Sequence, residues 1–177
     1  MKILNSGRVV LGAVFLFGAM SVFSATDGSL GTTSSGVSSL SITKVNSVKI
    51  TGVEDIAFGS VVAAPNKSSF DVCIYSTTGS YNIRASSANG TGTNFRLHSS
   101  GNYIVYDVEW NNAASGTSGT NQDHNVTSST LTGADSSSQS CGGGDNARVF
   151  VEVDGTSFNS AAIGTYTDTL TLLITPV

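Results

Sequence analysis

The chain has 177 residues, of which 11% are charged and 39% are hydrophobic, and its formal net charge is −4 at pH 7. This length suits one ordinary domain with short flanking segments. The sparse, net acidic charge argues against nucleic-acid binding, because neutralising phosphates requires clusters of lysine and arginine. It argues equally against docking on anionic lipid.

Residues 1–25 have the pattern of an export signal. Two positive residues precede the uncharged, apolar run Val9–Phe23, and Ser24 and Ala25 are small enough for a cleavage site. The sequence does not decide between cleavage after Ser24 and cleavage after Ala25. A membrane anchor is the alternative, but the run is shorter than the ~20 residues that span a bilayer. We therefore expect a signal peptide and an exported protein.

Residues 26–39 are rich in Gly, Ser and Thr, with Leu30 and Val37 as the sizeable apolar residues. Composition alone favours a disordered leader. The alternative is an extended arm that adds as a strand to another molecule. Strand addition takes its affinity from main-chain hydrogen bonds and its register from alternate side chains. Leu30, Thr32 and Ser34 share a parity that would face a groove.

From residue 40 onward, short runs alternate between apolar and polar residues, with Gly- and Asn-containing links between them, which predicts β-strands. Few windows show the apolar spacing of an amphipathic helix. About eight short strands of this kind indicate an antiparallel sandwich or barrel. The predicted strands, besides the C-terminal one, are Leu40–Ile50, Ile56–Val62, Ser69–Ser76, Tyr81–Ser87, Phe95–His98, Tyr103–Trp110, Val126–Leu131 and Ala147–Val153.

The clearest alternating run is the C-terminal segment Thr165–Thr175. Tyr166, Leu170, Leu172 and Ile174 would share one face of this strand, with threonines on the other. The sequence ends two residues later, so we expect no downstream segment to pair with this strand. An unprotected apolar edge is an aggregation hazard unless another molecule covers it.

Cys73 and Cys141 are the two cysteines of the chain. An even number in an exported protein indicates a disulfide. A two-thiolate metal site is the alternative, but the sequence lacks further ligands at metal-like spacing. We expect the bridge to tie the Ser- and Gly-rich loop Gly133–Asp145 to the predicted strand at Cys73. A second loop of this composition is Asn111–Asn125.

Catalysis has little support in the sequence. His98 ends a predicted strand, and we expect His124 to be an exposed loop residue. No Gly-x-Ser-x-Gly nucleophile elbow occurs. Asp107 and Glu109 share a strand face, and two such carboxylates are more often surface charges than an acid–base pair. We expect no enzymatic activity, no metal and no cofactor.

Three segments, in this order, resemble one known family. They are ITGVEDIAFGS at Ile50–Ser60, VCIYSTTGSYNIRA at Val72–Ala85 and GTYTDTLTLLI at Gly164–Ile174. With the arm segment Asp27–Ser35, the mature chain resembles the spore coat protein U-like domain, the subunit type of archaic chaperone–usher pili. The region Asn111–Asp145 departs from the family, because it lacks a recognisable tryptophan-containing segment.

The resemblance implies an incomplete immunoglobulin-like antiparallel β-sandwich, residues 40–177, that lacks its last strand. A periplasmic chaperone would fill the gap first, and the N-terminal extension (residues 26–39) of the next subunit would replace it at an outer-membrane usher. The expected function is a pilus subunit that polymerises by donor-strand complementation into a fibre for attachment or biofilm formation. The donor residues would be Leu30, Thr32, Ser34 and Val37, and the acceptor residues Tyr166, Leu170, Leu172 and Ile174.

Two other functions stay open. A self-sufficient secreted binding module, adhesin- or lectin-like, would recognise a host or abiotic surface through exposed aromatic residues. Tyr103, Tyr106 and Trp110 lie on one predicted strand, but core packing explains them best. A periplasmic hydrolase would depend on His98 or His124. The single-domain length favours a shaft or minor subunit over a two-domain tip adhesin.

Overall fold

The computed structural model describes residues 25–64 and 67–177, so the predicted signal peptide, apart from Ala25, lies outside the described residues. The chain divides into two compact units, one ending at Lys44 and one spanning Val45–Val177. In the first unit all described residues are exposed. Thr26 and Val37 of this unit exchange two backbone hydrogen bonds, with N···O distances of 3.0 and 2.9 Å.

The second unit is a sandwich of two sheets, and all pairs of its strands in the described residues are antiparallel. This architecture confirms the all-β fold class. The larger sheet has the order β1-β2-β8-β5-β4, with β6 also pairing with β5, and the smaller has the order β7-β3-β9. The strands are β1 Val48–Thr51, β2 Ser68–Ser76, β3 Ser80–Ser87, β4 Phe95–Ser99, β5 Asn102–Asn111, β6 Thr120–Gln122, β7 Leu131–Thr132, β8 Ala147–Val153 and β9 Leu170–Pro176.

The core lies between the sheets and follows the two-residue period of the strands. In β3, for example, Tyr81, Ile83 and Ala85 are buried while Arg84 is exposed. The indole N–H of Trp110 donates to the Tyr81 hydroxyl at 3.1 Å, so both buried polar groups are paired. The main inward-facing residues are Phe70, Val72, Ile74, Tyr81, Ile83, Ala85, Phe95, Tyr106, Val108, Trp110, Val149, Val151 and Ile174.

Five predicted strands agree with β2, β3, β4, β5 and β8 to within one residue at each end. The prediction for Leu40–Ile50 is wrong before Val48, because the neighbouring strand β2 turns away after Ser76, the partner of Val48. The predicted strand Ile56–Val62 is absent, although Ile56 and Phe58 in it are half-buried against the core.

The prediction for the C-terminal strand is wrong before Leu170. Thr167 exchanges two backbone hydrogen bonds with His98 of the larger sheet, so the chain crosses from one sheet to the other before β9 begins. The predicted strand Val126–Leu131 is reduced to β7 and to a single bridge between Thr127 and Arg84.

Three short elements were not predicted: the strand β6, the helix α1 and a 3₁₀ turn at Cys141–Gly143. β6 lies within the predicted loop Asn111–Asn125. The helix α1, Gly155–Ser160, begins where the sequence predicts only a tight link, because the Asp154 carboxylate accepts a hydrogen bond from the backbone N–H of Ser157 and caps it. In the described part of the chain, no helix is both long and apolar enough to cross a membrane.

The disulfide joins Cys73 and Cys141, with an S–S distance of 2.03 Å and a Cα–Cα distance of 5.8 Å. The loop containing Cys141 is also held on β2 by backbone bonds between Asp135 and its neighbours Ile74 and Ser76. The Asn146 side chain pairs with both the N–H and the C=O of Ile74, each at 2.8 Å. This loop is therefore held on the sheet near both of its ends and, through the bridge, at Cys141.

Candidate functional site: the β1–β9 edge

The C-terminal strand β9 presents Leu170, Leu172 and Ile174 to the core. Ile174 is buried opposite Ile83 of β3, whereas Leu170 and Leu172 are only half-buried. The fourth predicted acceptor residue, Tyr166, is not on this strand. It lies four residues before β9, and its hydroxyl donates to the carbonyl of Ala162 at 2.8 Å.

Two neighbouring strands of the sandwich each end a sheet. Among the described residues, β9 pairs only with β3 and β1 pairs only with β2. β1 contacts β9, but no backbone hydrogen bond joins them. We name these two free strand edges, with the half-buried side chains Val48, Ile50, Leu170 and Leu172, the β1–β9 edge.

Asp168 fixes the segment that leads into β9. Its Oδ2 accepts hydrogen bonds from the hydroxyls of Ser87 and Tyr106, both at 2.5 Å. Its Oδ1 accepts from the backbone and side-chain amides of Asn89, at 3.1 and 2.9 Å. Burial raises the pKa of Tyr106, and the adjacent Asp168 carboxylate raises it further. Sequence reasoning did not single out Asp168, although a lone carboxylate among the threonines before β9 was a usable signal.

The expectation that His124 is an exposed loop residue is wrong. Its relative exposure is 7%, and its ring packs edge-on against Phe95 with centroids 5.6 Å apart. Nδ1 lies 3.1 Å from the carbonyl oxygen of Gly92, and Nε2 lies 3.2 Å from that of Ser87. This histidine thus joins two loops to the end of β3, and its position fits a structural role.

The aromatic side chains of β5 differ in burial. Tyr106 and Trp110 are buried, whereas Tyr103 is 43% exposed, so the core placement of Tyr103 is wrong. The Arg96 guanidinium lies 4.1 Å from the centroid of the Tyr103 ring, and the His98 ring lies 4.9 Å from it. Tyr103 is therefore covered in part by its strand neighbours.

The acidic residues of β5 lie in a charged cluster with Lys67 and Glu152. Lys67 pairs with Glu109 at 2.5 Å and lies 3.6 Å from Glu152. Partial burial alone would raise the pKa of Glu109, but the hydrogen bonds from Lys67 and from the Gly119 amide lower it overall. Within residues 25–64 and 67–177, no group of three His, Cys, Asp or Glu side chains is placed to hold a metal ion.

The predicted donor residues lie in the first unit. Leu30, Thr32, Ser34 and Val37 are all exposed, and Leu30 reaches 105% of its reference exposure. The backbone of Val37 is paired with Thr26. Sequence reasoning placed Leu40 and Ile42 in a strand of the sandwich, but both belong to this exposed unit. The alternation of leucine and isoleucine next to the arm was a usable signal.

No protein-family model and no curated protein matches the chain, so the resemblance to the spore coat protein U-like domain stays a prediction. The similar solved structures include two complexes of chaperone-assembled fimbriae. One is a chaperone–tip adhesin complex of CFA/I fimbriae biogenesis, at 16% identity and a TM-score of 0.44, with 73% of this chain and 42% of that chain covered. The other is the CsuC–CsuE chaperone–tip adhesion subunit pre-assembly complex of archaic chaperone–usher Csu pili from Acinetobacter baumannii, at 22% identity and a TM-score of 0.38. It covers 73% of this chain, which spans only 39% of the length of that chain.

Proposed function

We propose that this chain is a structural subunit of a surface pilus, in which the N-terminal arm of one subunit completes the β-sandwich of the next. One observation carries the proposal: β9 is an unpaired sheet edge whose inward residues Leu170 and Leu172 are only half-buried. Free main-chain groups beside apolar side chains form a template for an added strand. The resemblance of Gly164–Ile174 to a pilin strand supports the same function.

The topology restricts the direction of such a strand. β2 runs toward the turn at Thr78 and Gly79, β1 and β3 run away from that turn, and β9 runs back toward it. β1 and β9 are therefore antiparallel to each other. A strand that adds to the free edge of β9 beside β1 is antiparallel to one of them and parallel to the other.

The arm joins the sandwich at the end that carries the β2–β3 turn, which we name the β2–β3 end. There Ser47, just before β1, accepts a hydrogen bond from the backbone N–H of Thr77 at 3.0 Å. In a linear fibre every subunit has the same neighbours, so the β2–β3 end of one subunit faces the opposite end of the next.

Chain direction then distinguishes a fibre from a closed pair. An arm that reaches its neighbour from the end opposite the β2–β3 end lies antiparallel to β9 and leaves each subunit free to accept another. An arm that enters from the β2–β3 end lies parallel to β9, and two such subunits would close into a two-fold pair. Fibre growth therefore requires the antiparallel arrangement.

The exposed apolar edge also supports a need for a protecting partner in the proposed pathway. Before assembly it would need cover, because a free edge with apolar side chains promotes aggregation. In this proposal a periplasmic chaperone provides that cover, an outer-membrane usher exchanges the chaperone for the next subunit, and the exported fibre attaches the cell to a host or abiotic surface. The function proposed is structural and not enzymatic.

The proposal is tested by supplying the missing strand in the same molecule. Residues 27–45 are appended after Val177 through a short turn, which places them antiparallel to β9 because β9 ends at the β2–β3 end. Burying about two large apolar side chains should raise the thermal midpoint by about 10–20 °C. The oligomer ladder of the mature chain in unheated gel electrophoresis should disappear.

A matched control carries the same appended segment with its leucine, isoleucine and valine residues replaced by serine, and its midpoint should equal that of the unextended chain. If the chain, the extended variant and the control all melt together as monomers, the sandwich is already complete. The proposal is then wrong, and ligand screening of a self-sufficient binding module becomes the appropriate next step.

A further inference from the structure

The first unit contains two pairs of exposed apolar residues, Leu30 with Val37 and Leu40 with Ile42. We propose that Leu40 and Ile42 are the side chains that the arm inserts at the β1–β9 edge of a second copy of this chain. This inference rests on the proposed function. It assigns the occupant of the edge to residues 38–45 instead of the residues around Leu30.

The first argument is availability. Leu40 and Ile42 are 92% and 96% exposed, and they share one parity in an extended segment. Within the described part of the chain, residues 38–46 form no backbone hydrogen bond. This segment therefore offers both requirements of strand addition, which are free main-chain groups and alternating apolar side chains.

The segment around Leu30 meets these requirements less well. Its two ends are joined by the backbone bonds between Thr26 and Val37, so opening it costs two hydrogen bonds. Only one of its three groove-facing residues, Leu30, is large and apolar, while Thr32 and Ser34 would bury little apolar surface.

The second argument is register. In an antiparallel arrangement, placing Ile42 opposite Leu170 also places Leu40 opposite Leu172. Both partners on β9 are the half-buried ones. The same register sets the small side chain of Ser38 opposite Ile174, which is already buried and needs no further cover. The large residues of the arm therefore lie opposite the half-buried Leu170 and Leu172, and the small Ser38 lies opposite the buried Ile174.

The third argument is reach. Ser47 is fixed at the β2–β3 end by Thr77, through its N–H at 3.0 Å and its carbonyl at 3.0 Å. An extended chain from Ile42 to Ser47 spans about 17 Å, whereas one from Val37 to Ser47 spans about 33 Å. Insertion of residues 38–45 therefore leaves a short linker between successive subunits, whereas insertion of the residues around Leu30 leaves a long linker between them.

The test substitutes each pair in the mature chain. L40S with I42S should reduce the fraction of chain in the oligomer ladder at least tenfold, whereas L30S with V37S should change it less than twofold. All four residues are exposed, so the thermal midpoint of the monomeric fraction should be equal in both variants. The opposite ranking, or equal losses in both variants, would overturn the inference.

A second measurement separates failure of the inference from failure of the proposed function. Residues 27–37 and residues 38–45 are appended separately after Val177, beside the longer extension with residues 27–45. Stabilisation by 38–45 and by 27–45, but not by 27–37, supports the inference. Stabilisation by 27–45 and 27–37 only would overturn the inference and leave the proposed function intact. If no extension raises the thermal midpoint, the proposed function itself fails.

Discussion

Two regions of the sandwich differ in how completely their strands are paired. Around the disulfide, β2 is an interior strand paired on both sides, by β1 and β8, and Val72, Cys73 and Ile74 are buried. At the β1–β9 edge, β9 is paired on one side, and Leu170 and Leu172 stay half-buried. Both strands alternate in the same way, so what differs is the number of neighbours. Alternation thus shows which face of a strand is buried, but not whether its edges are paired.

The largest expected effect concerns the disulfide beside β2. Replacing Cys73 and Cys141 by alanine should lower the free energy of unfolding by about 4 kcal/mol, because the bridge no longer restricts a 68-residue separation in the unfolded chain. Urea unfolding of the double variant gives this difference, and the reduced wild-type chain is the matched control. A loss below about 1 kcal/mol would mean that strain in the native bridge, or residual structure in the reduced unfolded chain, offsets this entropic effect.

The next effect compares a buried core residue with a half-buried residue of the edge. Ile83→Ala should cost about 3–4 kcal/mol, because Ile83 is fully buried, whereas Leu172→Ala should cost about 1–2 kcal/mol in the unextended chain. In the variant extended with residues 27–45, the cost of Leu172→Ala should rise toward that of Ile83→Ala. Chemical denaturation of the two parent proteins and the three variants tests this convergence. An unchanged cost for Leu172→Ala on extension would show that the added segment does not cover this side chain.

The third effect concerns alkaline stability near the start of β9. Burial raises the pKa of Tyr106 above its ordinary value of 10.0, and the Asp168 carboxylate raises it further. The unfolded chain therefore loses this proton at a lower pH than the folded chain, so stability falls as the pH rises above about 10. One such group contributes a slope of about 1.4 kcal/mol per pH unit.

Tyr106→Phe should flatten that slope by about one proton, at the cost of about 1–2 kcal/mol at neutral pH from the lost hydrogen bond to Asp168. Thermal midpoints between pH 8 and 11 measure both quantities. Tyr81→Phe is the comparison variant: burial also raises the pKa of Tyr81, so the slope should flatten here too, but to a smaller extent because the hydrogen bond from Trp110 lowers that pKa and, among the described residues, no carboxylate is adjacent. An unchanged slope in Tyr106→Phe would contradict the assignment.

Sequence reasoning succeeded where local signals and tertiary structure agree. The strands β2 and β3 are an example, because alternating residues flank a turn at Thr78 and Gly79, and the predicted bounds of both strands are correct to one residue although they belong to different sheets. It failed where a distant contact decides the outcome. The bond between Thr167 and His98 takes five residues out of the predicted C-terminal strand and removes Tyr166 from the acceptor face.

The candidate site could be predicted only in part for the same reason. The apolar face of Leu170, Leu172 and Ile174 follows from a two-residue period, and the structure places these residues together. The polar residues could not be assigned in this way. The sequence around His124 is wholly polar and predicts exposure, yet the ring is buried because loops from both sheets converge on it.

The smallest effect sharpens the register proposed for the arm. The arrangement that sets Ile42 opposite Leu170 brings Lys44 toward Asp168, two residues before β9 begins, and a nearby surface pair of opposite charges contributes roughly 0.2–1 kcal/mol. In the chain extended with residues 38–45, Lys44→Glu in the appended copy should lower the thermal midpoint by about 1–3 °C. The loss should vanish in 1 M salt, where the screening length is only about 3 Å. Lys49→Glu, on the exposed face of β1, is the matched charge reversal and should leave the midpoint unchanged. Equal losses in both variants, or a loss that salt does not change, would exclude this register. Only a strand that brings Lys44 near Asp168 makes the loss both specific to Lys44 and sensitive to salt.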